Sequence, residues 1–216
     1  MLPVLPHPVR RIAALTSLLA LALTFGCAKQ STTAGVSADD MTQGSAAAPI
    51  TIIEYASVTC PHCAEFNETV LPRLQAKYIA TGKVRYVYRE FLTPPENVSA
   101  MGILVARCAG KSRYFQVVDA IMRAQPEMFA DDSTKNALPV LKRIGTTAGG
   151  LTAEQFDKCV TDPKGLQRLQ TNVAGYVKDH NITGTPTFFI NGKALHRTKG
   201  DISDFDRVLV PMLAGK

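Results

Sequence analysis

The chain has 216 residues, of which 46% are hydrophobic and 19% charged, and this composition is typical of a globular protein rather than a disordered one. The net charge of +6 is spread along the sequence without a run of like charges, so the usual signature of a nucleic-acid-binding protein is absent. Beyond residue 27 no apolar stretch reaches the roughly 18 residues of a membrane span, which excludes a polytopic membrane protein.

The N-terminus is typical of an export signal. Arg10 and Arg11 supply positive charge, and the uncharged apolar run over residues 12–25 has the length of a signal-peptide core. The run ends near Cys27, in a context that resembles a bacterial lipidation site, although the residues just before it match that site only in part. We expect a signal peptide over residues 1–27 and a lipidated Cys27 that tethers the protein in the periplasm or cell envelope. Cleavage beyond Cys27 without a lipid, and an uncleaved anchor, are the alternatives.

Residues 28–48 are rich in Ser, Thr, Ala, Gly and Gln and show no hydrophobic period. This composition predicts a flexible linker. The folded part is therefore expected to begin near Pro49.

A strand, a helix and a second strand follow the linker. Residues 50–55 are β-branched and aromatic, residues 61–78 carry apolar side chains at helical spacing, and residues 84–91 return to a strand pattern. Pro72 lies inside the helical stretch and is expected to kink it. The order predicts a βαβ unit.

Helical spacing then continues through residues 96–179. Thr152 and Gln155 have the spacing of a capping box, and Asp162-Pro163 has the pattern of an N-cap followed by proline in the first turn.

Strand character returns at residues 187–190, followed by Asn191-Gly192, which is a strong hairpin pattern, and a last helix over about residues 203–213. We predict an α/β fold in which a helical block separates a βαβ half from a ββα half.

The most informative motif is Cys60-Pro61-His62-Cys63, placed at the N-terminus of the first helix. The helix N-terminus, the His62 ring and the Cys63 thiol can each stabilise a thiolate on Cys60, and a stabilised thiolate makes the disulfide of the pair oxidising. Cys63, one turn inside the helix, suits a resolving cysteine. Half of a zinc site and a purely structural disulfide are the alternatives, but zinc needs a second close pair of ligands.

A second motif is Gly184-Thr185-Pro186-Thr187, immediately before a predicted strand. The bond before Pro186 is a candidate for the cis isomer, although the sequence alone favours trans.

Taken together, the C-P-H-C motif after a strand, the helical insertion and the Thr185-Pro186 pair resemble the DsbA-type thiol–disulfide oxidoreductases of the thioredoxin superfamily. The resemblance covers residues 46–216. It implies a thioredoxin-like domain over residues 49–95 and 180–216 and a helical insertion over residues 96–179.

The resemblance also assigns roles. It implies that Pro186 is cis and lies against the cysteine pair, that the Thr185 backbone pairs with an extended substrate, and that Glu54 is a buried acid that assists proton transfer. The residues alone leave Glu54 either functional or turned to solvent, because an unpaired charge is costly to bury.

Cys108 and Cys159 lie on apolar faces of two predicted helices. They are either unpaired and buried or joined in a structural disulfide, and export to an oxidising compartment favours the disulfide.

The function implied is an envelope dithiol oxidase that acts on reduced exported proteins through Cys60 and Cys63. A membrane partner of the DsbB type would restore the disulfide; we expect a monomer without a metal or organic cofactor. The best-known oxidase of the family has valine where Thr185 stands, which leaves a reductase or isomerase open. A lipid-tethered binding module with a structural C-x-x-C is the alternative from another class.

Overall fold

The computed structural model describes Met1 and residues 35–130 and 133–215. Its strands are β1 (Met41–Gln43), β2 (Ile50–Ala56), β3 (Val84–Glu90), β4 (Thr187–Ile190) and β5 (Lys193–Ala194). Its helices are α1 (Pro61–Thr69), α2 (Leu71–Leu74), α3 (Glu96–Cys108), α4 (Tyr114–Arg123), α5 (Gln125–Met128), α6 (Ala137–Thr147), α7 (Ala153–Val160), α8 (Pro163–His180) and α9 (Ile202–Ala214), with a π-helical turn at Gln75–Ile79. The predicted α/β fold is confirmed.

The strands form one sheet in the order β1-β3-β2-β4-β5. β2 and β3 are parallel and are joined through α1, whereas the other neighbouring pairs are antiparallel. β2 lies at the centre, and all seven of its residues are buried. The C-terminal end of β2 leads directly into the turn before α1. The C-x-x-C motif therefore lies at this end of the sheet.

The prediction of a flexible linker over residues 28–48 is wrong for its last part. Met41–Gln43 form β1, an edge strand antiparallel to β3, and the Met41 side chain is buried. Asp40 forms a buried ion pair with Arg89 at 3.0 Å, and Asp39 pairs with Arg107 at 2.8 Å. The partners that hold this segment are distant in sequence. A three-residue strand with one buried apolar side chain is also too short to give a local pattern from which the strand could be predicted.

The predicted signal peptide over residues 1–27 and the predicted lipidation of Cys27 lie outside the described residues, apart from Met1.

The first helical stretch is broken rather than kinked at Pro72. α1 ends at Thr69, and Pro72 lies in the first turn of α2, where its missing N–H is tolerated. The stretch then continues as the π-helical turn. The proline is therefore accommodated by restarting the helix.

The capping patterns of the insertion are confirmed. Thr152 and Gln155 form a reciprocal capping box at α7, and Asp162 accepts a hydrogen bond from the backbone of Lys164 at the start of α8. The Asn191-Gly192 hairpin between β4 and β5 is also confirmed, because both residues have positive φ, 47° and 79°.

A disulfide joins Cys108, at the end of α3, to Cys159 in α7. It spans 51 positions of sequence, a loop for which chain entropy alone stabilises the fold by about 4 kcal/mol.

The two faces of the sheet have separate cores. On one face, Phe188 of β4 packs against Phe66 of α1 and Phe205 of α9. The opposite face carries a smaller cluster around Tyr55 that packs against Tyr176 of α8.

In the part of the chain that the structure describes, no helix is both long and apolar enough to cross a membrane.

The buried Asp40–Arg89 pair generates a test of the N-terminal strand. Replacing Asp40 with alanine leaves the guanidinium buried without its charge partner, which we expect to lower the free energy of unfolding by about 3 kcal/mol in urea titrations. Asp157→Ala is the control, because its pair with Lys142 is exposed and should contribute below about 1 kcal/mol. Equal losses in the two variants would contradict a tightly packed N-terminal segment.

Candidate active site

The site is built where β2 meets α1. Residues 57–60 form a turn, and Cys60 is the N-cap of α1 with extended backbone angles of φ −81° and ψ 121°. Pro61 occupies the first helical position, as the sequence predicts. Pro61 has no N–H, and the backbone N–H groups of His62 and Cys63 lie close enough to the Cys60 sulfur to stabilise negative charge on it.

Cys60 and Cys63 are free thiols, and they differ in environment. Cys60 is 7% exposed, and its sulfur lies 3.4 Å from the carbonyl oxygen of Thr185, to which it donates a hydrogen bond when it is protonated. A hydrogen bond from the Cys63 thiol lowers the pKa of Cys60 to about 5, assisted by the Thr185 side chain and by the N–H groups of Cys63 and His62. Cys60 is thus a thiolate at neutral pH.

Cys63 has the opposite character. It is fully buried, and burial, together with its hydrogen bond to Cys60 and the negative charge of Glu54, raises its pKa well above the usual range. Its thiol therefore keeps its proton while Cys60 carries the negative charge. This asymmetry makes Cys60 the attacking and attacked sulfur and Cys63 the internal one.

The Thr185-Pro186 loop lies directly against the cysteine pair. The bond between the two residues is cis, as the family resemblance implies and contrary to what the sequence alone favours. The carbonyl of Thr185 accepts from Cys60, and β4 then begins at Thr187, opposite Tyr55 of β2. Two segments that are distant in sequence thereby form one surface.

His62 points away from the sulfur atoms. Its side chain is 80% exposed, and its Nδ1 lies 3.5 Å from the Glu65 carboxylate on the next turn. The contribution of His62 to the pKa of Cys60 comes from its backbone N–H. The sequence predicts a contribution from the ring, which is not among the causes of the lowered pKa.

Glu54 lies on β2, the strand that leads into the motif, and is 2% exposed. Burial raises its pKa to about 8, against the opposing effects of a hydrogen bond donated by Tyr86 and of the positive charge of Arg197. The carboxyl group is therefore mostly protonated at pH 7. Of the two possibilities left open by the residues alone, the structure excludes a solvent-facing Glu54.

Tyr86 and Arg197 were not identified from the sequence. Tyr86 lies on β3, where only the strand register reveals that it shares a face with Glu54. Arg197 follows β5, and its guanidinium lies 5.5 Å from the ring centroids of both Phe66 and Phe188. The alternating aromatic residues around Tyr86 predict a strand there. No local sequence pattern indicates that Arg197 belongs to the site.

Cys108 and Cys159, which are bonded to each other in the insertion, are separate from this site. Among the described residues there is no cluster of His, Cys, Asp and Glu side chains suited to hold a metal ion.

Comparison with known families agrees with this geometry. The family model described as "Thioredoxin" matches residues 37–209. A Rickettsia bellii protein named "Putative protein-disulfide oxidoreductase" is 35% identical over 155 residues, which are 71% of this chain and 58% of that protein. The chain thus spans little more than half the length of this relative.

Solved structures share the fold. The Wolbachia pipientis alpha-DsbA1 structure has a TM-score of 0.74 and 25% identity, over 83% of this chain and 94% of that one. Oxidised BdbD from Bacillus subtilis has a TM-score of 0.72 at 17% identity, over 82% of this chain and 94% of that one, and shows the fold alone.

The raised pKa of Glu54 predicts a pH-dependent stability. Between pH 4.5 and 8 the folded protein holds a proton on Glu54 that the unfolded chain has lost, so this group's contribution to stability is complete below pH 4.5 and declines as the pH rises through 8. Reduced Glu54→Gln protein, which has no such titration, should be more stable than the reduced parent by about 3 kcal/mol at pH 7 and nearly equal to it at about pH 4.

Urea unfolding at a series of pH values measures this difference. Glu65→Gln, at an exposed position of α1, is the matched control and should show no such trend. A stability difference that does not vary with pH would refute the buried titration.

Proposed function

The chain belongs to the DsbA-type branch of the thioredoxin superfamily, and we propose that it is a protein thiol–disulfide oxidoreductase that introduces disulfides into exported proteins through Cys60 and Cys63. The observation that carries the proposal is the placement of two unequal thiols, one at a helix N-terminus against the Thr185 carbonyl and one fully buried behind it.

The first step starts from the oxidised Cys60–Cys63 pair. A substrate thiolate attacks the Cys60 sulfur, the bond between the two cysteines breaks, and Cys63 leaves as a thiolate while the substrate becomes bonded to Cys60. The departing Cys63 is buried, so it must take up a proton.

Glu54 is the proposed source of that proton. Its carboxyl is mostly protonated at pH 7 and lies in the same buried region as Cys63, whose pKa it affects. Transfer of the proton neutralises the thiolate and leaves a carboxylate, which the Tyr86 hydroxyl and the Arg197 charge stabilise.

In the second step a second substrate thiol loses its proton and attacks the substrate sulfur of the mixed disulfide. Cys60 leaves as a thiolate. The substrate has then lost two electrons and gained a disulfide, and the protein has gained the two electrons as its reduced pair. Because the lowered pKa of Cys60 makes it a good leaving group, the reaction is favoured in this direction.

The redox potential of the Cys60–Cys63 pair tests the proposed direction. Equilibration with glutathione buffers should give a potential closer to the value of about −120 mV for DsbA than to that of about −270 mV for thioredoxin. The Glu65→Gln variant, equilibrated in the same buffers, is the control and should share the parent's value.

A potential near that of thioredoxin would refute the oxidase and favour a reductase or isomerase. In the Cys63→Ser variant the Cys60 thiolate should attack a peptide disulfide, release one peptide thiol and remain bonded to the other peptide sulfur. Failure to accumulate this mixed disulfide, with Cys60→Ser as the blank, would refute thiol exchange itself and leave the binding module.

We also propose that the enzyme acts in the periplasm or cell envelope, attached through a lipidated Cys27. The export pattern of residues 1–27 supports this location. A membrane protein of the DsbB type is the proposed reoxidant, and the enzyme is proposed to act as a monomer that needs only its own cysteine pair as the redox centre.

Lipidation has a direct test in a bacterial host. The parent protein should incorporate labelled palmitate and sediment with membranes, whereas Cys27→Ser should do neither, because it lacks the acceptor thiol. Cys63→Ser serves as a control for cysteine loss elsewhere. A soluble, unlabelled parent protein would contradict the tether without affecting the proposed chemistry.

A further inference from the structure

The main chain of the turn over residues 57–60 forms hydrogen bonds that involve both cysteines of the motif. The N–H of Cys60 donates to the Ser57 carbonyl at 3.2 Å, and the Cys60 carbonyl accepts from the N–H groups of Cys63 and Ala64, both at 3.1 Å. The N–H of Ser57 stabilises negative charge on Cys63. The position of this turn therefore determines how both cysteines face the helix N-terminus.

A side chain of the helical insertion binds this turn. Gln125, at the start of α5, is 7% exposed, and its amide nitrogen donates to the carbonyls of Val58 at 2.8 Å and Cys60 at 3.2 Å. A glutamine amide carries two N–H donors, so both are used on the active-site turn. Gln125 does not contact a sulfur atom in any hydrogen bond of the described residues.

A cluster of buried hydroxyl groups holds the same turn independently. Ser57 contacts Ser99 of α3 at 2.8 Å, and Thr59 contacts Thr93 at 2.9 Å. Loss of Gln125 would therefore leave the turn attached to the insertion and remove only the two Gln125 donors. The Cys60 carbonyl would keep its helical hydrogen bonds, whereas the Val58 carbonyl would lose the donor from Gln125.

We propose that Gln125 is a positioning residue for Cys60, through which the helical insertion holds the turn so that the Cys60 sulfur faces the N-terminus of α1. The inference rests on the proposed function of the pair. Carbonyl oxygens are the negative ends of peptide dipoles. The two that Gln125 binds belong to Cys60 itself and to Val58, two positions before it. The Gln125 donors offset this negative charge next to a thiolate, and the donor to Val58 holds that carbonyl in place.

The test is the titration of the Cys60 thiolate in Gln125→Met, followed by ultraviolet absorbance of the reduced protein. Methionine has a similar length and no donor, so the midpoint should rise by about one pH unit, with a matching decrease in the alkylation rate at pH 5–6. Gln125→Asn keeps an amide that is too short to reach both carbonyls, and it should shift the midpoint in the same direction by less.

Asn67→Leu is the matched control. Asn67 of α1 is also buried and donates to Asp119 of α4 at 2.7 Å, so it too joins the motif helix to the insertion, but away from the turn. This variant should lose stability without a change in the midpoint.

An unchanged midpoint in Gln125→Met, or an equal shift in Asn67→Leu, would overturn the proposal, since the first shows no effect on Cys60 and the second shows general loosening. If Gln125→Met does not fold, Gln125→Asn decides, and an unchanged midpoint there overturns the proposal as well. The titration needs no substrate, so failure of the oxidase proposal appears separately, in the redox potential of the parent protein.

Discussion

The hydrogen bond from the Cys63 thiol to the Cys60 sulfur is the interaction on which the rest of the site depends. It is the largest single influence that lowers the pKa of Cys60, and it exists because residues three positions apart share a face of α1. The bond requires Cys63 to keep its proton, and complete burial ensures this. The sheet and the helix therefore together place the Cys60 sulfur, which is only slightly exposed, next to the fully buried Cys63 thiol.

The elements predicted correctly from the sequence are those with local causes. Apolar β-branched residues define β2, the capping box at Thr152 begins α7, and Asn191-Gly192 makes the hairpin. The features that were missed arise from partners far apart in the chain. β1 is stabilised by pairing with β3 and by the Asp40–Arg89 ion pair, which connects positions separated by 49 residues.

The residues of the site divide in the same way into those that the sequence predicted and those that it did not. The C-x-x-C motif was predicted because its chemistry is unusual in its local context, whereas Glu54 received its predicted role from the family resemblance, since its local pattern left it either functional or turned to solvent. Tyr86, Arg197 and Gln125 were not, because each is an ordinary residue in an ordinary element until the fold brings it to the pair. The helices between β3 and β4 thus contact the active-site turn directly, because Gln125 of α5 supplies the donors to the Val58 and Cys60 carbonyls.

The direction of β1 determines at which end of the sheet the first residues of the folded part lie. Met41 lies opposite Tyr88 and Gln43 opposite Tyr86, so β1 starts at the end of the sheet where β2 delivers Cys60. Arg89 also binds the Gly35 carbonyl at this end. Gly35 thus lies at the redox-active end of the sheet, with β1 three strand spacings, or about 14 Å, from β4. The first residues of the folded part and the Thr185-Pro186 loop therefore share this end of the sheet, on opposite sides of β2, the strand that leads to Cys60.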